Sequence, residues 1–143
     1  MIYFDASYLV RLYYNDRGFE AVRHLANTDT IACAQHGQAE VIAALHRKYR
    51  EGSLRLKAYR VVLEQLADEI RADAFRWLPL SQTLLERLHA NFEGLPVTNF
   101  LRASDAIHLT TASENAFREI YSNDKNLLAA APHFGLRGVN VID

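Results

Sequence analysis

The chain has 143 residues, half of them hydrophobic and 23% charged, and its formal net charge at pH 7 is −1. This length favours a single domain over residues 1–143, which can bury enough surface to fold without disulfides or structural metals. A net charge near zero gives no overall basic field of the kind that attracts nucleic acid. It does not exclude a nucleic-acid partner, because a mean value conceals local contrasts between acidic and basic regions.

Cysteine content and the first residues indicate the compartment. Cys33 is the only cysteine, so no internal disulfide is available, which fits a reducing environment. It stands in the apolar run 30–34 and is expected to be a buried core residue. The N-terminal residues lack the basic segment and apolar core of a secretory signal, and no stretch approaches the roughly 18 apolar residues of a membrane span. We therefore expect a cytoplasmic protein that does not associate with membranes.

Apolar residues in the first half of the chain are spaced as in alternating strands and helices. The predicted elements are, in chain order, a strand at 2–4, a helix after Asp5, a helix at 19–25, a strand at 30–34, and helices at 38–49 and 54–72. Gly52 separates the last two, and the basic residues before it suit the negative end of a helix dipole. The helix at 54–72 is amphipathic, with one apolar stripe.

The same alternation continues to the C-terminus. The predicted elements are a strand at 75–80, a helix capped by Ser81 that runs to 92, a loop at 93–100, a helix at 103–115, a strand at 119–122, a helix at 124–134 that breaks or ends near Pro132, and a strand at 138–142. Strands that alternate with helices imply crossover connections. The predicted fold class is therefore α/β, with a mainly parallel sheet of about five strands flanked by helices.

Two aspartates directly follow predicted strands. Asp5 comes after the first strand and Asp124 after the fourth. In open α/β sheets, functional sites collect at the carboxyl ends of the strands. Each aspartate also precedes a predicted helix, where aspartate is a favoured N-cap. Taken singly, each one is explained at least as well by capping as by chemistry.

Two further acids stand in predicted helices. Glu40 is surrounded in sequence by small and apolar residues, so its charge either faces solvent or has a partner. Its neighbours one turn away include only one polar mate, His36. Asp105 stands near the start of an otherwise small and apolar helix, where a negative charge suits the helix dipole. A solvated helix face for Glu40 and a dipole role for Asp105 therefore remain open.

The four acids taken together favour a metal site. Mg²⁺ prefers oxygen ligands and keeps several of its waters, so a few carboxylates suffice to bind it. Such a cation assists phosphodiester cleavage by polarising phosphate oxygens and by generating or orienting a hydroxide. No histidine or cysteine set has zinc-ligand spacing. His108 lies on an apolar helix face, and there a packed or hydrogen-bonded histidine is favoured over a ligand.

Other reaction classes lack their required parts. The glycine patterns of dinucleotide and P-loop sites are absent. Ser7 is not flanked by the residues of a nucleophile elbow, which makes serine hydrolase chemistry a weak hypothesis. A phosphatase with an aspartyl nucleophile after the first strand would need a second aspartate two residues after Asp5, and Ser7 stands there instead.

Four segments, spread over essentially the whole chain, resemble the motifs of PIN-domain ribonucleases, and more narrowly of VapC-like toxins of type II toxin–antitoxin pairs. The first is an apolar strand followed by Asp5, Ser7 and an apolar helix. The second is Glu40, followed by an apolar stretch and a basic turn. The third is residues 102–112, Arg-Ala-Ser-Asp-Ala-Ile-His-Leu-Thr-Thr-Ala, and the fourth runs from residue 122 to residue 135. The third and fourth carry the resemblance best, because they occur in order and their aspartates are 19 positions apart.

The resemblance implies a three-layer α/β/α fold and a metal-dependent endoribonuclease. It implies that the acidic site consists of Asp5, Glu40, Asp105 and Asp124, with Mg²⁺ or Mn²⁺ held by the three aspartates. Supporting roles fall to Ser7 beside Asp5, to Ser122 in the loop of Asp124, and to Arg102, which would contact phosphate or a neighbouring acid. A cognate antitoxin protein and a homodimer are also implied. One departure is the segment 34–37, which lacks the small hydroxyl residues often found there and leaves the start of the helix of Glu40 in question.

A second hypothesis is a binding module of the same fold with little or no catalysis. It would act through dimerisation or through antitoxin or RNA binding. The apolar stripe of the helix at 54–72 could serve such a partner, although a stripe of this kind is more often core. The presence of all four acids disfavours this hypothesis.

Overall fold

The structure, a computed structural model, describes all 143 residues and contains five short parallel strands. They are β1 (Ile2–Tyr3), β2 (Ile31–Ala34), β3 (Arg76–Leu78), β4 (Glu119–Tyr121) and β5 (Arg137–Val139). β1, β2 and β3 form a three-stranded sheet, and β4 and β5 form a two-stranded sheet. A parallel bridge between Phe4 and Tyr121 joins these two sheets into one. The strand order across the sheet is therefore β3, β2, β1, β4, β5.

Seven α-helices connect and cover the strands. They are α1 (Ala6–Leu9), α2 (Phe19–Ala26), α3 (Gly37–Arg50), α4 (Leu56–Arg71), α5 (Gln82–Glu93), α6 (Ala103–Glu114) and α7 (Lys125–Ala130). The predicted alternation of strands and helices is confirmed, and Ser81 caps α5 by accepting a hydrogen bond from the Leu84 amide. None of the helices is both long and apolar enough to cross a lipid bilayer.

Two hydrophobic cores lie on opposite faces of the sheet. Tyr3 belongs to one core and Phe4 to the other, and on β2 the residues Ala32 and Cys33 divide in the same way. Successive side chains of a strand point to opposite faces. The first core includes residues of α6 and α7, and the second includes residues of α1, α3 and α4. These two covered faces confirm the three-layer α/β/α arrangement, and Cys33 is buried as expected.

Most predicted elements agree with the structure to within one or two residues at their ends, and two near the C-terminus differ by more. The helix predicted at 124–134 gives way after Ala130 to a 3-10 turn that contains Pro132 and ends at Gly135, whose φ of 71° lies in the left-handed region that glycine favours. The last strand ends at Val139 instead of residue 142. Beyond it, Asn140 Oδ1 accepts hydrogen bonds from the Tyr8 hydroxyl (2.8 Å) and the Ile142 amide (3.0 Å). These bonds turn the chain away from the ladder.

Candidate active site

Asp5 and Asp124 lie at the same end of the sheet because their strands are neighbours. β1 runs into Asp5 and β4 into the loop before Asp124, and the Phe4–Tyr121 bridge holds the two strand ends together. The Asp5 amide also donates to the Tyr121 carbonyl at 3.1 Å. The expected gathering of acids at the carboxyl ends of strands is therefore seen in the structure for these two residues.

Asp5 is both a helix cap and a buried acid. Its Oδ1 accepts hydrogen bonds from the Tyr8 amide (3.1 Å) and from Ser7 Oγ (2.6 Å), and its Oδ2 accepts one from Ser122 Oγ (2.5 Å). The side chain is almost fully buried. Burial raises the pKa of Asp5, and the hydrogen bonds from Ser122 and Ser7 oppose part of that rise. Capping and a site role are therefore compatible, because the cap uses one oxygen and the other points toward Ser122.

Asp124 has the same double character. Its Oδ1 caps α7 by accepting from the amides of Asn126 (2.8 Å) and Leu127 (2.9 Å). Its Oδ2 accepts from Arg102 Nη2 at 3.0 Å. Ser122 Oγ accepts from the Asp124 amide at 2.9 Å while it donates to Asp5. Ser122 therefore ties the backbone of one acid to the side chain of the other.

Arg102 joins Asp124 to the third acid. Its Nε donates to Asp105 Oδ2 at 3.1 Å, while its Nη2 reaches Asp124. Burial raises the pKa of Asp105, the charge of Asp124 raises it further, and the hydrogen bond from Arg102 opposes the rise. The predicted contact of Arg102 with a neighbouring acid is therefore present in the structure, and its contact with phosphate stays a prediction. The Arg102 side chain is 63% exposed, so its guanidinium can leave these acids for another anion.

Glu40 enters the cluster through two histidines. His108 Nε2 lies 2.6 Å from Glu40 Oε1, and His36 Nε2 lies 3.1 Å from the same oxygen. Burial disfavours the charged carboxylate, but the hydrogen bonds from His108 and His36 outweigh it and hold the pKa of Glu40 well below its usual range. The alternative of an unpaired, solvated Glu40 is therefore wrong. His36 is the sequence-predicted mate, and His108 is an additional one.

The histidines also connect Glu40 to the helix of Asp105. His36 Nε2 lies 3.1 Å from the Ser104 carbonyl oxygen and 3.2 Å from Ser104 Oγ. His108 follows Asp105 by three positions on α6, which places both on one helix face. As expected, His108 is buried and hydrogen-bonded. Its partner Tyr3 was not singled out from the sequence, although residues 3 and 5 share a side of the first strand.

The start of α3 is set by packing instead of by a side-chain cap. His36 precedes the helix and forms no capping hydrogen bond. A Cβ at position 37 would lie 2.5 Å from Cys33 Sγ. Glycine at this position therefore lets α3 begin directly against β2, which fixes where Glu40 lies. This contact answers the question that the unusual segment 34–37 raised about the start of the helix.

The donor set fits a hard divalent cation. Asp105 and Asp124 share the Arg102 guanidinium, and Ser122 ties Asp5 to Asp124. Carboxylate oxygens of this kind suit Mg²⁺ or Mn²⁺. Asp105 Oδ1 forms no hydrogen bond within the protein, while Asp105 Oδ2 is shared with Arg102. The one group of three potential ligands whose atoms lie within 4.8 Å of one another is composed of His36, Glu40 and His108. Sequence spacing did not reveal this group because its members come from α3, α6 and the residue before α3.

With this geometry in view, comparison with known proteins identifies the family. The profile of the PIN domain matches residues 2–132. The chain therefore belongs to the PIN domain family, as the four sequence motifs indicate. No curated protein sequence matches the chain significantly.

Several solved structures share this fold. The FitAB complex bound to the IR36 DNA fragment superposes with a TM-score of 0.74 at 15% identity, covering 98% of this chain and 94% of that one. VapC20 of Mycobacterium tuberculosis, a sarcin-ricin loop cleaving toxin, gives 0.67 at 16% identity, covering 91% and 95%. VapBC2 of Rickettsia felis, bound to a fragment of its promoter, gives 0.61 at 16% identity and covers 98% of both chains. At these identities the likeness establishes the shared fold.

Proposed function

We propose that this protein is a metal-dependent endoribonuclease that acts as the toxin of a toxin–antitoxin pair. Its site would be formed by Asp5, Glu40, Asp105 and Asp124. The observation that carries the proposal is that three acids from separate elements, Asp5, Asp105 and Asp124, are linked in one hydrogen-bond network, beside which His36 and His108 hold Glu40. Ser122 links Asp5 to Asp124, and Arg102 links Asp124 to Asp105. A fold has no structural need for such a cluster, because like charges held together destabilise it.

In this proposal Asp5, Asp105 and Asp124 hold Mg²⁺ or Mn²⁺. When bound, the cation would supply charge that polarises phosphate oxygens and would make water a better nucleophile. Burial and mutual repulsion raise the pKa of Asp105, and burial raises that of Asp5. A cation that offsets this repulsion would favour their ionised forms.

The remaining residues have separable roles. Glu40 is kept ionised by its histidine partners, which suits a carboxylate that accepts a proton from, and orients, an attacking water. Ser7 and Ser122 fix the two oxygens of Asp5. Arg102, exposed and held only by two acids, can turn its guanidinium to a phosphate of the substrate, which it would bind in bidentate fashion.

Membership of the PIN family and the fold shared with toxin–antitoxin proteins support RNA as the substrate and an antitoxin as the partner. Among these neighbours, VapC20 is a sarcin-ricin loop cleaving toxin. A toxin–antitoxin complex from Klebsiella pneumoniae also shares the fold, FitAB is bound to the IR36 DNA fragment, and VapBC2 is bound to a fragment of its promoter. The proposal includes a homodimer, a cytoplasmic location and one domain over residues 1–143.

The test is RNA cleavage by the purified protein in the presence of Mg²⁺, with the cut sites mapped by sequencing new 5′ ends. Asp5→Asn should reduce cleavage by about 100-fold or more. Asparagine is a good helix cap, so this variant keeps the fold. Asp68→Asn is the matched control, because Asp68 is an exposed acid on α4. Cleavage by Asp5→Asn at the rate of the unaltered protein would refute the proposed site.

The second candidate is a PIN-fold binding module with little catalysis. One observation favours it: the exposed apolar side chain of Ile42 on α3 lines a groove together with Leu63, Leu66, Ala67 and Ile70 of α4. A surface of this kind fits a protein partner. Metal titration separates the two functions. A binding module should show no Mn²⁺ site that disappears in Asp105→Asn.

A further inference from the structure

A chain of buried hydrogen bonds leads from the backbone of β2 to Glu40. The Ala34 amide donates to the Tyr3 hydroxyl at 3.0 Å. The same hydroxyl lies 2.9 Å from His108 Nδ1, and His108 Nε2 lies 2.6 Å from Glu40 Oε1. Tyr3 is fully buried and His108 is 1% exposed. Water therefore has little access to the two middle members of the chain.

The available donors and acceptors determine in which direction each hydrogen bond from Ala34 to Glu40 runs. The Tyr3 oxygen already accepts the Ala34 amide proton, and its own O–H proton needs an acceptor because the side chain is buried. The atom that it faces is His108 Nδ1. If Nδ1 accepts, the neutral imidazole carries its proton on Nε2, which points at Glu40 Oε1. Every donor and acceptor in the chain then has a partner.

We propose, on the basis of the function proposed above, that His108 is a positioning residue for Glu40 and that Tyr3 sets its tautomer. With Nε2–H aimed at Oε1, Glu40 is held in one orientation and remains a carboxylate. Both histidine contacts use Oε1, so the other oxygen is left for a water or a cation. His108 does not touch the reacting phosphate in this proposal. It acts only through Glu40.

The competing use of the same atoms is a transition-metal site formed by His36, Glu40 and His108, whose ligand types suit such ions. A metal on His108 Nε2 would require the proton on Nδ1, which would then donate to the Tyr3 hydroxyl. That oxygen would receive two protons, and its own proton would lose the only acceptor that faces it. The protein therefore favours a hydrogen bond at Nε2 over a metal–nitrogen bond.

The tautomer can be measured without RNA. Nitrogen-15 NMR of the purified protein at about pH 8.5, two units above the ordinary pKa of an imidazole, with the His108 ring signals assigned by comparison with His108→Gln, should show the Nε2–H tautomer. In Tyr3→Phe, which lacks the hydroxyl, the ring signals should move toward a mixture of the two tautomers. An Nδ1–H form in the unaltered protein would overturn the proposal. A shift of the His108 signals on addition of Zn²⁺ alone, with loss of Nε2–H, would overturn it in favour of the metal site.

Kinetics test the link to Glu40. His108→Ala should lower kcat about 10- to 100-fold with a smaller effect on KM, the size expected when a supporting partner of a site residue is lost. His108→Gln places an amide donor near the position of Nε2 and should recover most of the activity. Equal losses in both variants would show that His108 contributes packing alone and would refute the positioning role.

Tyr13→Phe is the matched control, because Tyr13 is a buried tyrosine whose hydroxyl bonds to a carboxylate, Glu69, outside the site. Its activity should equal that of the unaltered protein. If the unaltered protein cleaves no RNA, the proposed function fails. The NMR measurement still decides whether Tyr3 sets the tautomer of His108. The two failures are therefore distinguishable.

Discussion

Arg102 and Asp124, which lie 22 residues apart in the chain, are joined by a hydrogen bond of 3.0 Å from Nη2 to Oδ2. The same guanidinium reaches Asp105, so one exposed cation lies between two acids that repel each other. Its position is that of a counter-charge to the cluster. Arg102 therefore relieves, in the protein without metal, the repulsion that a divalent cation would relieve in the loaded protein.

The first prediction rests on the fact that Arg102 and a divalent cation would relieve the same repulsion between acids. Arg102→Gln should lower the melting temperature measured in EDTA by about 3 °C, since exposed ion pairs contribute about 1 kcal/mol or less and a domain of this length changes by a few degrees per kcal/mol. Millimolar Mg²⁺ should reduce the difference between the variant and the unaltered protein. Arg71→Gln, which removes an exposed arginine paired with Glu64 and Asp68, is the control. The difference in melting temperature between Arg71→Gln and the unaltered protein should not change when Mg²⁺ is added. A similar response to Mg²⁺ in both variants would contradict the prediction.

A second prediction concerns pH. The pKa of Asp105 is raised by burial and by Asp124, so the folded state binds a proton there more readily than the unfolded chain does. The contribution of Asp105 to the free energy of unfolding is fully present below its pKa in the unfolded chain, near 4. It is lost as the pH rises through its pKa in the folded protein. In EDTA, Asp105→Asn should therefore melt higher than the unaltered protein at pH 7, by roughly 1 kcal/mol or about 3 °C.

The size of that gain should depend on pH. Lowering the pH from 7 to 5 protonates more of Asp105, so the gap between Asp105→Asn and the unaltered protein should narrow. Melting curves recorded by circular dichroism at the two pH values measure it. A gap of constant size would show that the variant changes stability by some route other than the charge of Asp105.

A third prediction concerns Ser122, which donates to Asp5 Oδ2 at 2.5 Å and accepts from the Asp124 amide at 2.9 Å. Ser122→Ala should weaken Mn²⁺ binding by about 10- to 100-fold, because the two acids lose the group that fixes their relative position. Isothermal titration calorimetry measures the affinity. Thr110→Val is the control, because it removes another buried hydroxyl, one on α6 that bonds to Asn91. An unchanged Mn²⁺ affinity in Ser122→Ala would show that Ser122 does not support the site.

Most of the fold could be predicted because its signals are local. Apolar spacing located the strands and helices, and the capping preference of aspartate located the turns after β1 and β4. The end of β5 could not be predicted in this way. It depends on the hydrogen bond between Tyr8 and Asn140, residues 132 positions apart. A contact over that distance leaves no periodic trace in the sequence.

In the candidate site, too, the features with local sequence signals could be predicted and those that depend on long-range contacts could not. Asp5 and Asp124 are marked by their place after strands, and His36 is marked as a mate of Glu40 by helical spacing. The bond from His108 to Glu40 spans 68 residues and depends on how α6 packs beside α3. Sequence patterns could indicate which acids matter. They could not show that histidines lower the pKa of Glu40 while burial and Asp124 raise the pKa of Asp105, because both shifts depend on tertiary neighbours.

The last prediction concerns the contact that sets Glu40 in place. A Cβ at position 37 would meet Cys33 Sγ at 2.5 Å. Gly37→Ala should therefore destabilise the protein by about 1–3 kcal/mol, as overpacking of a core does, and should reduce RNA cleavage because α3 shifts away from β2 and carries Glu40 with it. Thermal melting and initial cleavage rates measure the two effects.

The double variant Gly37→Ala/Cys33→Ala identifies the cause. Removing the sulfur relieves the clash, so the cost of Gly37→Ala should be smaller in the Cys33→Ala background than in the unaltered protein. Cleavage should recover with stability if the displacement of α3 is what impairs it. Additive losses of stability would show that the cost of Gly37→Ala arises from something other than the contact with Cys33. Because His36 and Glu40 flank this glycine, recovered activity would link the packing of one small residue against β2 to the placement of the carboxylate.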